Sequence, residues 1–201
     1  MVTSLLARFL RLRRRPGPQC DLVAPSRDHR IDELLIITGS MGAGKTSVLA
    51  EAGDILTLRH IVYAAMDVDC LGLAHLSSAT SSDDVMYVNL RLVCKNYADL
   101  GVRRFLLACA LEDRTRLELC RQAVPATHTV VGRLTASVEV MQQRVSMRES
   151  GMLRQQFIAR VANLNRALDR ARLEDFTVSN ENRSLTDVAL EVLVKAGWIS
   201  N

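Results

Sequence analysis

The sequence predicts an α/β fold, a three-layer α/β/α sandwich around a five-stranded parallel sheet, on three observations. From residue 31 onward, short apolar runs alternate with helix-length amphipathic stretches, the pattern of parallel strands joined by crossover helices. The first apolar run leads directly into a glycine-rich turn and then into a helical stretch. The chain has 201 residues, 48% hydrophobic and 24% charged, which suffices for one core, and no internal repeat marks a second domain. Residues 1–30 are set apart as a basic N-terminal extension, leaving 31–201 as a single folded domain.

The elements follow in order. Strand one is expected over Glu33 to Thr38, around Leu34-Leu35-Ile36-Ile37. A second run, Ile61 to Met66, ends at Asp67-Val68-Asp69. Small polar residues from Ser77 to Asp84 then lead into a helix over Asp84 to Leu100, stopped by Gly101. Strand three covers Arg104 to Ala110, and a helix over Asp113 to Ala123 is stopped by Pro125. Strand four covers Thr129 to Leu134 and is followed by a helix capped at Thr135 or Ser137. That helix breaks near Ser150-Gly151. The next carries Leu153, Phe157, Val161, Leu164, Leu168 and Ala171 at steps of three or four, one apolar face. Strand five is Phe176 to Val178, and a last helix from Ser184 to Ala196 ends at Gly197.

The turn after strand one reads Gly39-Ser40-Met41-Gly42-Ala43-Gly44-Lys45-Thr46, a complete G-x-x-x-x-G-K-T phosphate-binding loop, followed by Ser47 at the start of a helix. The glycines let successive N–H groups point inward at a polyphosphate, and the helix N-terminus adds partial positive charge. Lys45 is the residue that reaches the β/γ-phosphates, and the Thr46 hydroxyl is a magnesium ligand. Asp67 and Asp69 stand at the carboxyl end of strand two, where ligands collect in open parallel sheets. Two carboxylates so close need something to balance them. One reading gives Asp67 to a metal shell and makes Asp69 the base for an attacking hydroxyl. The other is an Asp pair that merely caps a strand.

The formal charge of +4 comes mostly from arginines before residue 31, and the lysines are Lys45, Lys95 and Lys195. This distribution argues against a nucleic-acid-binding face on the folded domain. No apolar run approaches the roughly 20 residues of a membrane-spanning helix. The five cysteines form no C-x-x-C pair, and the four histidines lack metal-ligand spacing. Reduced thiols and a cytoplasmic location are expected.

Together the loop, the D-x-D at 67 and 69, paired arginines after strand four and the order of elements resemble the P-loop small-molecule kinases of the nucleoside-monophosphate-kinase-like group. These include shikimate, gluconate and adenylyl-sulfate kinases and chloramphenicol phosphotransferases. The likeness spans residues 31–199 and implies strand order 2-3-1-4-5 with a lid, which at Glu149 to Met152 is short here. It implies Arg144 and Arg148 as adenine-stacking and phosphate-clamping residues, with Arg154 a lesser candidate. Asn180 or Asn182 falls where relatives border the base. Arg91, Glu112 and Arg114 fall on the acceptor side. Strand three lacks the usual Walker-B Asp, which departs from the pattern.

These readings lead to an ATP- and Mg²⁺-dependent phosphotransferase acting on a hydroxyl of a small molecule. On this reading Lys45, Asp69 and Arg148 are catalytic. The nucleotide is held by residues 39–47 with Arg144 and Asn180, and the metal by Thr46 and Asp67. The rival is a non-catalytic nucleotide-binding accessory or regulatory protein, which the missing Asp favours. A nucleic-acid end kinase is the weakest alternative, because acids are scattered through residues 67–113.

Overall fold

The structure, a computed structural model, describes residues 30–74 and 82–200. The N-terminal stretch with Cys20 and His29, His75, and most of the loop expected at Ser77 to Asp84 lie outside the described residues. Five parallel strands form one sheet: β1 (Ile31–Thr38), β2 (Ala64–Asp67), β3 (Arg104–Ala108), β4 (Ala126–Thr135) and β5 (Phe176–Ser179). Their order is β2-β3-β1-β4-β5, as the resemblance implied. The helices are α1 (Lys45–Leu58), α2 (Ser82–Asp99), α3 (Arg114–Ala123), α4 (Val138–Arg148), α5 (Arg154–Ala171) and α6 (Leu185–Lys195), with a 3-10 turn over Val68–Gly72.

β1 is central and covered on both faces, which is why it reads as an unbroken apolar run. Leu35 and Ile37 pack with residues of α1, α4, α5 and α6. Leu34 and Ile36 face the other way, toward α2 and α3. All four are fully buried. Each contributes roughly 1.5–3 kcal/mol of burial, far above any local strand preference, so the core fixes this strand and its register.

Strand ends depart from the expected bounds for local reasons. β2 starts at Ala64, three residues late, because the Ile61 amide donates to the Leu56 carbonyl at 3.0 Å and closes the end of α1. Pairing with β3 begins only at Ala64 and Phe105. β3 ends at Ala108, and one more ladder bond follows, from the Cys109 amide to the Ile37 carbonyl at 3.2 Å. β4 starts three residues early, immediately after Pro125, because Ala126 already pairs with Ile31.

Three helices are capped by side chains. Asp113 accepts the Arg116 amide at 2.9 Å, Ser137 the Val140 amide at 3.4 Å and Ser184 the Asp187 amide at 3.1 Å. Replacing Asp113 with Ala is expected to cost about 1 kcal/mol, read in urea unfolding at neutral pH. α5 is fastened to the sheet by Arg133 of β4. Its buried guanidinium donates to Asp169 at 2.6 Å, Asn165 at 3.1 Å and Glu174 at 3.3 Å. No described helix is long and apolar enough to cross a membrane.

Candidate active site at the carboxyl end of the sheet

After β1 the chain curls through residues 39–44 into α1. φ is +79° at Gly42 and +96° at Gly44, the left-handed region that glycine alone enters without strain. Neighbours also exclude a side chain there. A Cβ at Gly42 would lie 2.3 Å from the Met141 carbonyl oxygen, and one at Gly44 would lie 2.2 Å from Asn180 Nδ2. Gly42→Ala is therefore expected to displace the loop or α4. It should cost about 1–3 kcal/mol, visible as a lower thermal unfolding midpoint.

Residues far along the chain brace this loop. The buried Ser40 hydroxyl donates to the Val161 carbonyl of α5 at 2.9 Å. Asn180 Nδ2 donates to the Ala43 carbonyl at 2.7 Å. Arg144 donates to the carbonyls of Gly42 at 3.3 Å and Asn180 at 2.8 Å. Asn180 is buried and its amide group is already engaged, so it props the loop from beneath. Asn182 sits in a left-handed turn at φ +55° and is exposed.

Lys45 folds back over the loop, donating to the carbonyls of Gly39 at 3.0 Å and Ser40 at 3.2 Å. Burial lowers its pKa, opposed by the nearby charges of Asp69 and Asp67. The Thr46 hydroxyl donates to Asp67 Oδ2 at 2.6 Å, and Asp67 Oδ1 accepts the Asp69 amide at 3.2 Å. Asp67 thus caps the 3-10 turn while presenting an oxygen beside Thr46; capping and a metal role are compatible. Asp69 opens to solvent inside the cleft. The surrounding protein still strips enough hydration to raise its pKa, Asp67 adds to the rise, and Lys45, Arg116 and Arg160 oppose it.

These groups share one cavity of about 440 Å³, within the range of small-molecule sites. Gly42, Gly44, Lys45 and Thr46 line one side, and Asp67, Asp69, Cys70 and Leu73 another. Arg144 and Arg148 of α4 complete the wall. Arg148 also pairs with Glu149 at 2.8 Å.

The remaining candidates fall elsewhere. Arg91 lines a separate groove with Tyr87, Val88 and Leu119 of α2 and α3. Glu112 is held by Arg160 at 3.0 Å, and Arg114 is exposed at the start of α3. Sequence reasoning passed over Arg116 and Arg160, whose charges act on Asp69. Helical spacing held a partial signal. Arg114 and Arg116, two positions apart, point about 200° apart on α3, so they cannot both face the cleft. Thr38 was also missed; its buried hydroxyl accepts the Leu111 amide at 3.0 Å and fixes the chain just past β3.

No family model and no curated protein matches the sequence. Solved structures do match in fold. A sugar kinase from Janibacter sp. HTCC2649 superposes with a TM-score of 0.58 at 16% identity, over 82% of this chain and 93% of that one. The APS kinase of Mycobacterium tuberculosis, solved with AMPPNP and APS, gives 0.57 at 18% identity, over 82% and 97%. The shikimate kinase of Acinetobacter baumannii, solved with shikimate, gives 0.53 at 16% identity, over 81% and 91%. With the sheet order and the loop geometry above, the chain has the fold of the P-loop small-molecule kinases.

Proposed function

We propose that the protein transfers the γ-phosphoryl group of ATP to a hydroxyl of a small molecule. The observation that carries this reading is the convergence of Lys45, the Thr46–Asp67 pair and Asp69 on one cavity of ligand size. Loop amides and the N-terminus of α1 bind the polyphosphate, and Lys45 exchanges its two carbonyl partners for phosphate oxygens. Thr46 and Asp67 supply a hydroxyl and a carboxylate 2.6 Å apart, hard oxygen donors suited to Mg²⁺. Magnesium, when bound there, offsets the charge on the β- and γ-phosphates. Asp69 orients the acceptor hydroxyl and takes its proton, and Arg148 balances charge on the phosphoryl group in transit.

A second reading, an accessory protein that binds nucleotide without transfer, is favoured by the end of β3, where the chain carries the buried thiol of Cys109 and no carboxylate. One experiment separates the two. Purified protein with ATP, Mg²⁺ and a panel of hydroxyl-bearing metabolites is assayed for ADP and for phosphorylated product. Acceptor-dependent ADP formation that is lost in Lys45→Met supports the kinase. ATP binding without turnover for any acceptor supports the accessory protein.

A further inference from the structure

Cys109, near enough to Asp69 and Lys45 to feel their charges, belongs to a pair of side chains that the transfer reaction does not use. Cys109 follows β3 and Cys120 lies in α3; both are buried, with their sulfur atoms 3.9 Å apart. Ten residues lie between them, so a bond between them would close a short ring around the β3–α3 loop that carries Glu112. Each thiol sits on an element fixed independently of the other. Cys109 is held by its ladder bond to Ile37, and α3 by the Asp113 cap and by Leu117 and Ala123 in the core. Both backbones are thus anchored with the two sulfurs facing each other.

We propose that Cys109 and Cys120 are a reversible modification site, a dithiol that hydroperoxides convert to a disulfide linking the end of β3 to α3. The Cys120 thiolate attacks one oxygen of hydrogen peroxide, the O–O bond breaks, and the departing hydroxide leaves as water with the proton from Cys120. The Cys109 sulfur then attacks the resulting sulfenic acid. An S–S bond forms, the S–O bond breaks, and the second hydroxide leaves as water with the proton from Cys109. Two thiols are oxidised and one peroxide is reduced to two waters.

The surroundings assign the roles. The hydrogen bond from Cys109 lowers the Cys120 pKa; burial opposes this, and a hydrogen bond from Tyr87 and the charge of Arg116, one helical turn before Cys120, add to it, so the net direction favours its thiolate. Hydrogen bonding to Cys120 and burial keep Cys109 protonated until it is needed. Cys94, buried in the same layer, is pushed up to about 12 by burial and stays a thiol.

Trypsin separates the pair, because cleavage after Arg104, Arg114, Arg116 and Arg121 puts Cys109 and Cys120 in different peptides. The intact, folded chain is treated with hydrogen peroxide, its remaining thiols are alkylated, and the digest is analysed without reduction. The expected product is residues 105–114 joined to residues 117–121, lighter by two hydrogen atoms than the two peptides together. It should be absent from Cys109→Ser and Cys120→Ser, present in Cys94→Ser, and lost on treatment with dithiothreitol. Recovery of the two peptides unlinked, a link from Cys120 to Cys94, or a link that forms only in urea would each overturn the proposal. None of these outcomes depends on phosphoryl transfer, so the dithiol and the kinase reading stand or fall separately.

Discussion

Asp69→Asn is expected to lower kcat by about 10²–10⁴-fold while ATP affinity stays close to that of the parent. On the proposed reading Asp69 serves the acceptor hydroxyl, whereas the loop, Lys45 and Thr46, which line the same cavity, serve the nucleotide. An amide keeps the shape and loses the basicity. Calorimetric titration with an ATP analogue, beside steady-state rates on the acceptor found in the screen, separates the two effects. A matching loss of nucleotide affinity would remove Asp69 from the acceptor side. Loss of hydration within the cleft raises the pKa of Asp69 from its ordinary value, so the parent's rate should fall as pH drops through that raised pKa. That acid limb should be missing from the residual activity of the variant.

The same shift has a signed consequence for stability. Because the folded pKa exceeds the unfolded one, ionised Asp69 costs stability at neutral pH, and the cost vanishes below the unfolded pKa. Asp69→Asn should therefore unfold at the same or a higher temperature than the parent at pH 7, with the difference disappearing in acid. A variant that loses both activity and stability at pH 7 would point to a structural role instead.

Arg133→Met is expected to give the largest loss of stability, about 3 kcal/mol, or roughly 6–12 °C in thermal midpoint for a domain of this size. Removing the guanidinium leaves Glu174, whose side chain is 16% exposed, without its cation. Asp169 is 55% exposed and rehydrates, which keeps the cost at the low end for a buried ion pair. The Arg133 Nε is buried and has no partner among the described residues, so the cluster is imperfect even when intact. Adding Glu174→Gln to Arg133→Met should therefore recover part of the loss, which urea unfolding of the single and double variants would measure.

Much of this arrangement was legible in the sequence because it depends on short-range spacing. The G-x-x-x-x-G-K-T run dictates a left-handed curl and a helix start within eight residues, and the loop takes that form. Apolar runs bounded by caps gave five strands and six helices in the right order. What escaped was set by partners distant in sequence. The late start of β2 depends on how α1 ends. The engagement of Asn180 with Ala43 joins residues 137 positions apart. Whether Arg114 or Arg116 acts on Asp69 turns on helical phase, and the pairing of Glu112 with Arg160 spans 48 positions. An arginine-rich chain offers many equivalent guanidinium groups, and only packing chooses among them.

The bond from Ser40 to the Val161 carbonyl limits how the cleft can change shape. It pins the middle of α5 to the loop on one side of residues 149–153, as Arg144 of α4 is pinned to Gly42 on the other. Any swing of residues 149–153 over a ligand must then pivot between two anchored helices, a narrow hinge with little reach. The Ala43 amide donates to the Ser40 carbonyl at 3.2 Å, so its exchange should be slow before any nucleotide arrives; the loop is ordered in advance and binding forfeits little chain entropy there.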